Sequence, residues 1–264
     1  MSSTVTETKV ITKETIHRLL ADVKYIYNNP LIDNGIYYVH DDADIMKGYV
    51  LIIGPEDTPY FGGYYFFEMN FPTDYPFSPP KVKYMTNNGL TRFNPNLYKC
   101  GKVCVSILNT WSGDKWSACQ TLNSVLLTLC SLLNDKPLLN EPGQSITSFD
   151  FTPYQKSIEF LNIDFAICEM LGNMNKWIPE HFSHFYPFMK ERFLKNFDKL
   201  IDIIDKKNGL IGTSFVQIFQ MTTTIDYVRL KERIMSTKES IQNNKNEDIK
   251  VNDIKVNDIK VNDK

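Results

Sequence analysis

The sequence of 264 residues lacks long apolar runs, an apolar N-terminus and an excess of basic charge. No stretch approaches the roughly eighteen apolar residues of a membrane span. The first residues, MSSTVTETK, contain no apolar segment of the kind found in secretory leaders. The 29 basic and 31 acidic residues give a net charge of −2, whereas nucleic-acid-binding proteins usually carry a basic excess. We therefore expect no membrane association and no nucleic-acid partner.

Cysteine is scarce as well, and its pattern excludes a disulfide framework. The five cysteines are odd in number and irregularly spaced, which predicts reduced thiols and a cytoplasmic or nuclear compartment. Cys100 and Cys104 form a C-x-x-x-C pair, but structural zinc uses four ligands and no second Cys/His pair at suitable spacing supplies them, so we expect no metal site. Cys119, Cys130 and Cys168 fall in or beside predicted helices and are expected to be packing residues.

Cys104 follows Asn96 by eight positions (104 − 96) in the run FNPNLYKCGKVCVSIL, which contains no histidine. A thiolate can take an acyl group from another thioester without a strong base, and a side-chain amide can stabilise the oxyanion that forms when an amine attacks. A hydrolase would also need a group that activates water. The pattern favours acyl transfer through a sulfur open to solvent beside a carboxamide. Taken alone, however, such a cysteine is more often a buried packing residue, and Asn-Pro-Asn favours turns whatever its function.

Hydrophobic periodicity in the first half of the chain predicts an α+β fold. Thr12 can cap a helix with one apolar face that ends before Asn28. Thr121 can cap a central helix with a wide apolar stripe. Between the helices, short segments rich in β-branched and aromatic residues are separated by Gly, Pro, Asp and Asn turns. They predict a four-stranded antiparallel meander with the strands Gly35–His40, Gly48–Ile53, Tyr64–Asn70 and Lys81–Met85.

Beyond Pro142 the pattern is typical of helices, which predicts a helical C-terminal extension. Helical spacing is found in Tyr154–Leu171, in Pro179–Lys207 and in a segment near Thr224–Thr237. Because proline cannot continue a helix without disruption, Pro187 should kink or split the second of these. The aromatic density of that second segment indicates burial against the rest of the protein.

The final residues repeat DIKVN every five positions, a period that matches neither a helix nor a strand. Lys and Asp balance throughout, so we interpret this tail as disordered, with a docking segment as the alternative. The predicted organisation is a flexible N-terminus over 1–9, a core over 10–175, a helical extension over 176–242 and a disordered tail over 243–264.

Three separated blocks of the sequence resemble one known family, the ubiquitin-conjugating enzymes. The run FNPNLYKCGKVCVSIL is similar to the family's active-site segment, in which an HPN-type tripeptide precedes the acceptor cysteine. Residues 54–84 resemble the family's strand, turn, strand and proline-rich loop, and residues 116–137 resemble its tryptophan loop and central helix. The resemblance covers roughly residues 10–175, and the extension resembles that of a larger, C-terminally extended branch.

The resemblance implies a role for several residues of the site. Cys104 matches the acceptor of the modifier, and Asn96 matches the family's catalytic asparagine, either as an oxyanion donor or as a brace for the loop. Glu141 matches an acidic position that can prepare the incoming lysine, although a solvated loop glutamate is the plain alternative. Asn94 occupies the position at which most of the family has histidine, which puts the geometry of the loop in question.

The resemblance also implies partners. These are ubiquitin or a ubiquitin-like modifier, an activating enzyme, a ligase and the lysines of protein substrates. Phe77, Ser117, Ala118 and Cys119, together with the first helix, match the surface that receives the activating enzyme and the ligase. The activating enzyme uses the ATP, so no cofactor is expected in this chain. Two alternatives stay open: a modifier-binding or ligase-scaffolding variant, and a cysteine hydrolase if His181 or His184 reaches the sulfur.

Overall fold

The structure is a computed structural model of the chain and describes residues 10–243. Residues 1–9, predicted as a flexible N-terminus, and residues 244–264 of the predicted tail lie outside the described residues. Within residues 10–243, no helix combines the length and the apolar character needed to cross a membrane.

The first half of the chain has the predicted α+β architecture. Helix α1 spans Lys13–Asn28, and the Thr12 side chain accepts a hydrogen bond from the backbone N–H of Thr15 at 3.1 Å, as expected of an N-cap. Helix α2 begins after Thr121, which forms a reciprocal capping box with Ser124. The antiparallel sheet has the spatial order β1-β2-β3-β4. Its strands are β1 (Ile36–His40), β2 (Lys47–Ile53), β3 (Tyr64–Asn70) and β4 (Lys81–Tyr84), and α2 spans Leu122–Ser131.

The second half of the chain is mainly helical, as predicted, and is more segmented than its periodicity indicates. The predicted helix over Tyr154–Leu171 is part of a longer one with a π-helical middle, and the boundary predicted between residues 175 and 176 falls within α4. Pro187 lies in the first turn of α5 and separates it from a preceding 3₁₀ helix. The elements are α3 (Phe151–Leu161), a π-helix (Asn162–Glu169), α4 (Met170–Trp177), a 3₁₀ helix (Glu180–Phe185) and α5 (Tyr186–Asp205).

The extension also contains a β-hairpin that the sequence analysis missed. Strands β5 (Ile211–Val216) and β6 (Met221–Asp226) pair antiparallel, and α6 (Tyr227–Asn243) follows directly. The predicted start of the last helix, near Thr224, therefore lies inside β6, and the helix begins at Tyr227. In β6 the side chains alternate between buried and exposed, and three consecutive threonines suit a strand better than a helix because branching at Cβ restricts their rotamers.

Strands β2 and β3 bury both of their faces, because the extension covers the second one. Successive side chains of a strand point to opposite faces. On one face, Tyr65 packs against Phe93 with ring centroids 6.0 Å apart. On the other face, the rings of Phe66 and Tyr49 lie 5.5 Å and 5.1 Å from Phe182 of the extension. The predicted core and the extension therefore share one continuous hydrophobic core.

Phe182→Ala should reveal how much of the stability comes from this interface. Phe182 is fully buried, so we expect the free energy of unfolding to fall by about 3–5 kcal/mol, since a buried cavity replaces the ring. Urea denaturation followed by fluorescence measures the change. The matched control is Phe149→Ala, because Phe149 is 79% exposed and should cost about 0.5 kcal/mol or less. Equal losses in the two variants would contradict the packing described above.

Candidate active site

Asn96 and Cys104 face each other across a narrow hairpin-like loop. The backbone N–H of Cys104 donates to the carbonyl oxygen of Asn96 at 2.8 Å, and the backbone N–H of Tyr98 donates to the carbonyl oxygen of Lys102 at 2.9 Å. Because side chains alternate along paired backbone segments, Asn96, Tyr98 and Cys104 lie on one face, while the intervening Leu97 is buried in the core. The loop thus places a thiol, a carboxamide and a phenol on the same side.

The Asn96 side chain braces this loop. Its Nδ2 donates to the backbone carbonyl oxygen of Cys104 at 2.7 Å, so the carboxamide points toward the cysteine. Its Oδ1 is buried and has no hydrogen-bond partner among the described residues. The resemblance implies two roles for Asn96, and its hydrogen bond to the Cys104 carbonyl oxygen corresponds to the brace.

The sulfur of Cys104 is covered, which corrects the expectation of a thiol open to solvent. Cys104 is only 3% exposed, and its Sγ contacts the carbonyl oxygen of Thr110 at 3.1 Å. The Thr110 hydroxyl accepts from the backbone N–H of Val105 at 2.9 Å and donates to the Val105 carbonyl oxygen at 3.0 Å. Thr110 therefore forms a strap over the thiol. Cys104 lies outside the hydrophobic core cluster and Thr110 is exposed, so the segment that covers the sulfur lies at the surface.

Asn94 is fully buried, and its side chain ties the loop to the end of α2. Its Nδ2 donates to the Leu132 carbonyl oxygen at 2.7 Å and to the Tyr60 hydroxyl oxygen at 3.0 Å. Its Oδ1 accepts from the backbone N–H of Asn96 at 2.9 Å and from Asn140 Nδ2 at 3.4 Å. An asparagine in place of the family's usual histidine thus uses both polar atoms of its side chain, and it holds Asn96 and the segment before Glu141 together.

Two residues that the sequence analysis did not single out, Tyr98 and Arg92, complete the site. Burial is the main cause that raises the pKa of Tyr98; the nearby Cys104 raises this pKa further, and Arg92 opposes the increase. Burial lowers the pKa of Arg92, while Glu141 and Cys104 act in the opposite direction. These four groups therefore lie within electrostatic reach of one another. Tyr98 is two positions after Asn96, so in extended backbone its side chain lies on the same face. This spacing could have identified Tyr98 from the sequence.

Glu141 is half-buried and directly follows the 3₁₀ helix Pro137–Asn140. The Asn140 side chain donates to the Leu132 carbonyl oxygen at 3.2 Å as well as to Asn94. Glu141 is thereby attached to the same polar network that orients Asn96. The structure thus ties the segment before Glu141 to the loop that contains both Asn96 and Cys104.

Phe77 projects from the surface beside the tryptophan loop. It is 78% exposed, and it follows Pro76, whose peptide bond with Tyr75 is cis. The Trp116 Nε1–H donates to the Pro76 carbonyl oxygen at 2.6 Å. This bond connects the loop of Phe77 to the loop that contains the other predicted partner-binding residues.

Arg18 connects the tryptophan loop to α1. Its guanidinium donates to the carbonyl oxygens of Ala118 at 2.8 Å and Gln120 at 2.5 Å. Ser117 and Cys119 are exposed and Ala118 is half-buried, so the four predicted partner-binding residues and α1 form one accessible surface. The expectation that Cys119 is a packing residue is wrong, because it lies in this loop and not on the buried side of α2. Cys168 is buried, as expected.

Asn94→Leu should separate the network from simple packing. Leucine fills a similar volume but leaves the buried N–H of Asn96 without its acceptor. We expect the free energy of unfolding to fall by about 1–3 kcal/mol, the usual cost of one orphaned buried polar group. Urea denaturation measures it. Asn208→Leu changes an exposed asparagine and should stay within about 0.5 kcal/mol of the wild type. If both variants unfolded at the same denaturant concentration, the Asn94 network would contribute nothing.

Comparisons with known proteins give the family. A family model described as "Ubiquitin-conjugating enzyme" matches residues 18–165. The chain is 39% identical over 210 residues to "Ubiquitin-conjugating enzyme E2 Z" of Xenopus tropicalis, which covers 74% of this chain and 66% of the relative. It is 38% identical over 206 residues to the Homo sapiens protein of the same name, covering 73% and 58%. It is 39% identical over 189 residues to "Probable ubiquitin-conjugating enzyme protein 17" of Caenorhabditis elegans, covering 67% and 26%.

The chain spans less than two thirds of the length of the first two relatives. The matched part includes all of the elements that position Cys104, Asn96 and Glu141. Since the family model covers more than half of the 264 residues, the chain belongs to the ubiquitin-conjugating enzyme family.

Proposed function

We propose that this chain is a ubiquitin-conjugating enzyme. It accepts ubiquitin or a ubiquitin-like modifier from the activating enzyme as a thioester on Cys104 and passes it to a lysine amine, usually with a ligase. The observation that carries the proposal is the hydrogen bond of 2.7 Å from the Asn96 carboxamide to the Cys104 carbonyl oxygen, in a chain of this family.

Loading is a thioester exchange. The Cys104 thiolate attacks the carbonyl carbon of the thioester on the activating enzyme, a new C–S bond forms, and the cysteine of the activating enzyme leaves as a thiolate. Because Cys104 is only 3% exposed and its sulfur contacts the Thr110 carbonyl oxygen, the Thr110 strap has to move before this attack. ATP is used by the activating enzyme, so the reaction on this chain needs no cofactor.

Transfer then breaks the bond to Cys104. A neutral lysine amine attacks the thioester carbonyl, its surplus proton passes to a base or to solvent, and Cys104 leaves as a thiolate. Free lysine is mostly protonated near neutral pH, since its pKa is about 10.4. Glu141, half-buried beside the site, orients the ammonium and assists the loss of its proton.

Asn96 serves this reaction through both hydrogens of its amide. One N–H already binds the Cys104 carbonyl oxygen and keeps the loop in place. An amide nitrogen carries two N–H bonds, so the second is available for the oxyanion of the tetrahedral intermediate. The brace and the oxyanion donor are then two functions of one side chain.

The two alternatives have less support. In a scaffolding variant without catalysis, a covered thiol beside a carboxamide and a carboxylate would serve no purpose. A hydrolase would need an imidazole at the sulfur. His181 and His184 lie instead beside Tyr49, at ring-centroid distances of 4.4 Å and 6.2 Å, on the sheet face that the extension covers. His40 binds the Tyr38 hydroxyl at 2.7 Å.

The cellular setting is part of the same proposal. A thiol that carries a thioester has to stay reduced, which favours a cytoplasmic or nuclear compartment. Among residues 10–243, all five cysteines are free. In that same range, no group of three His, Cys, Asp or Glu side chains is arranged to hold a metal ion.

Loading of Cys104 is directly testable with activating enzyme, ATP and a panel of modifiers. The wild type should give an adduct that a thiol reductant cleaves. Cys104→Ser should give an oxygen ester that resists the reductant but not hydroxide, and Cys104→Ala should give no adduct. Cys100→Ser is the matched control, because Cys100 lies four positions away in the same loop and is exposed. A reductant-sensitive adduct that persisted in Cys104→Ala would refute the assignment, and a wild type that no modifier loads would favour the scaffold.

Phe77→Ala tests the partner surface. An exposed aromatic anchor at the centre of an interface contributes about 2 kcal/mol or more, so we expect ligase-stimulated transfer to fall roughly tenfold or more. Discharge to free lysine without a ligase should change less than about twofold, since Phe77 lies outside the site. Phe215→Ala, an exposed phenylalanine on the extension, is the control. A loss of both activities to the same extent would argue against a docking role.

A further inference from the structure

The hairpin of the extension reaches the active-site loop with its tip. Phe219 lies in the turn between β5 and β6 and is half-buried. Its ring lies 5.4 Å from that of Tyr154 on α3, and its carbonyl oxygen accepts from Lys99 Nζ at 3.3 Å. Lys99 belongs to the loop between Asn96 and Cys104, so the extension contacts this loop directly.

The tip of the hairpin is held firmly in place. The Asp150 carboxylate is buried and accepts two backbone N–H groups of the turn, from Gln217 at 2.7 Å and from Ile218 at 2.9 Å. The Ser214 hydroxyl donates to the Pro153 carbonyl oxygen at 2.9 Å. These bonds attach the turn to the start of α3, which makes Phe219 a fixed support.

Arg92 lies between this support and the active-site loop. Its guanidinium carbon is 3.5 Å from the centroid of the Tyr98 ring and 5.2 Å from that of the Phe219 ring. Its N–H groups donate to the carbonyl oxygens of Pro95, at 2.5 Å and 3.2 Å, and Asn94, at 3.3 Å. A planar guanidinium suits this arrangement, since it stacks on aromatic rings and donates at its edge at the same time.

Tyr98 completes the connection to the sulfur. The backbone pairing places the Tyr98 side chain on the same face as Cys104. The Thr110 carbonyl oxygen contacts the sulfur on one side, and the Tyr98 side chain lies diagonally across the loop on the same face, within reach of an aromatic ring. The Tyr98 ring stacks on Arg92, and Arg92 is held at its edge by the Pro95 and Asn94 carbonyl oxygens and flanked by the Phe219 ring.

We propose that Phe219 of the extension is a positioning residue for acyl transfer, which acts by pressing Arg92 onto Tyr98 and so keeps the Tyr98 side chain against Cys104. The role of Phe219 in acyl transfer rests on the proposed function. Its effect on access to the Cys104 thiol rests on geometry alone. It makes the extension a working part of the active site. Phe219 is half-buried and packs against the edge of the core, so the test also has to detect general loosening.

The test uses the full chain and the variants Phe219→Ala, Phe219→Tyr and Arg92→Lys. Phe219→Tyr keeps the ring and should behave as the wild type. Arg92→Lys keeps the charge but loses the planar stacking group. Phe215→Ala is the matched control, because it removes an exposed phenylalanine from the same hairpin.

The first measurement needs no activating enzyme. The protein is alkylated with iodoacetamide, and the rates at Cys104 and Cys168 are read separately by mass spectrometry of their peptides. We expect Phe219→Ala and Arg92→Lys to accelerate alkylation of Cys104 about threefold, the factor expected for the loss of one partly exposed cation–π contact. Cys168 is buried in the core and should not change, which distinguishes local opening from unfolding.

The second measurement is discharge of the loaded thioester to free lysine in single turnover. Phe219→Ala should slow it about threefold to tenfold, because a misplaced group at the site costs transfer rate, while Phe219→Tyr restores it. Cys104 alkylation that is unchanged in Phe219→Ala and Arg92→Lys overturns the inference. The inference is also overturned if Phe219→Ala and Arg92→Lys both discharge to free lysine at the wild-type rate. If Phe219→Ala accelerates alkylation of Cys168 as well, that variant has loosened the whole fold. The alkylation rate of Cys104 in Arg92→Lys then decides whether the inference holds. If the wild type does not load, the proposed function fails, while the alkylation result still decides the contact with Tyr98.

Discussion

The buried carboxamide of Asn94 is the interaction on which the site depends. It bonds to the end of α2, to Tyr60, to Asn140 and to the backbone of Asn96. A buried polar group is costly unless it is paired, so a network in which both polar atoms are satisfied permits few other arrangements. The position of Asn96 against Cys104 follows from it. Asn94 stands where the resemblance implies a histidine, and its carboxamide anchors the loop in place of an imidazole.

The local parts of the fold were predictable from the sequence, and the contacts between distant parts were not. Thr12 and Thr121 cap helices through bonds to their own near neighbours, so their signals lie within a few residues. The hairpin over 211–226 was missed because its last strand runs directly into α6, with no turn residues between them. Local period alone does not separate such a segment from the start of a helix.

The candidate site divides in the same way. Cys104 and Asn96 were found from their spacing and from the family resemblance, whereas the cover over the sulfur depends on how Thr110 folds back onto Val105. One neighbour of Arg92, Phe219, lies in the extension, far along the chain. Nothing in the run FNPNLYKCGKVCVSIL encodes that contact. The extension therefore contacts the part that matches the family model in two places: it covers one sheet face, and it touches the loop of Cys104.

The covered sulfur has a chemical consequence between reaction cycles. Oxidation of a thiol to sulfenic acid and beyond depends on how easily an oxidant reaches it. Cys104 is shielded under Thr110, while Cys100, only four positions away, is exposed. Peroxide or oxidised glutathione will therefore meet Cys100 first, and the Cys104 thiol, the acceptor in the proposed function, is preserved for the partner that displaces its cover.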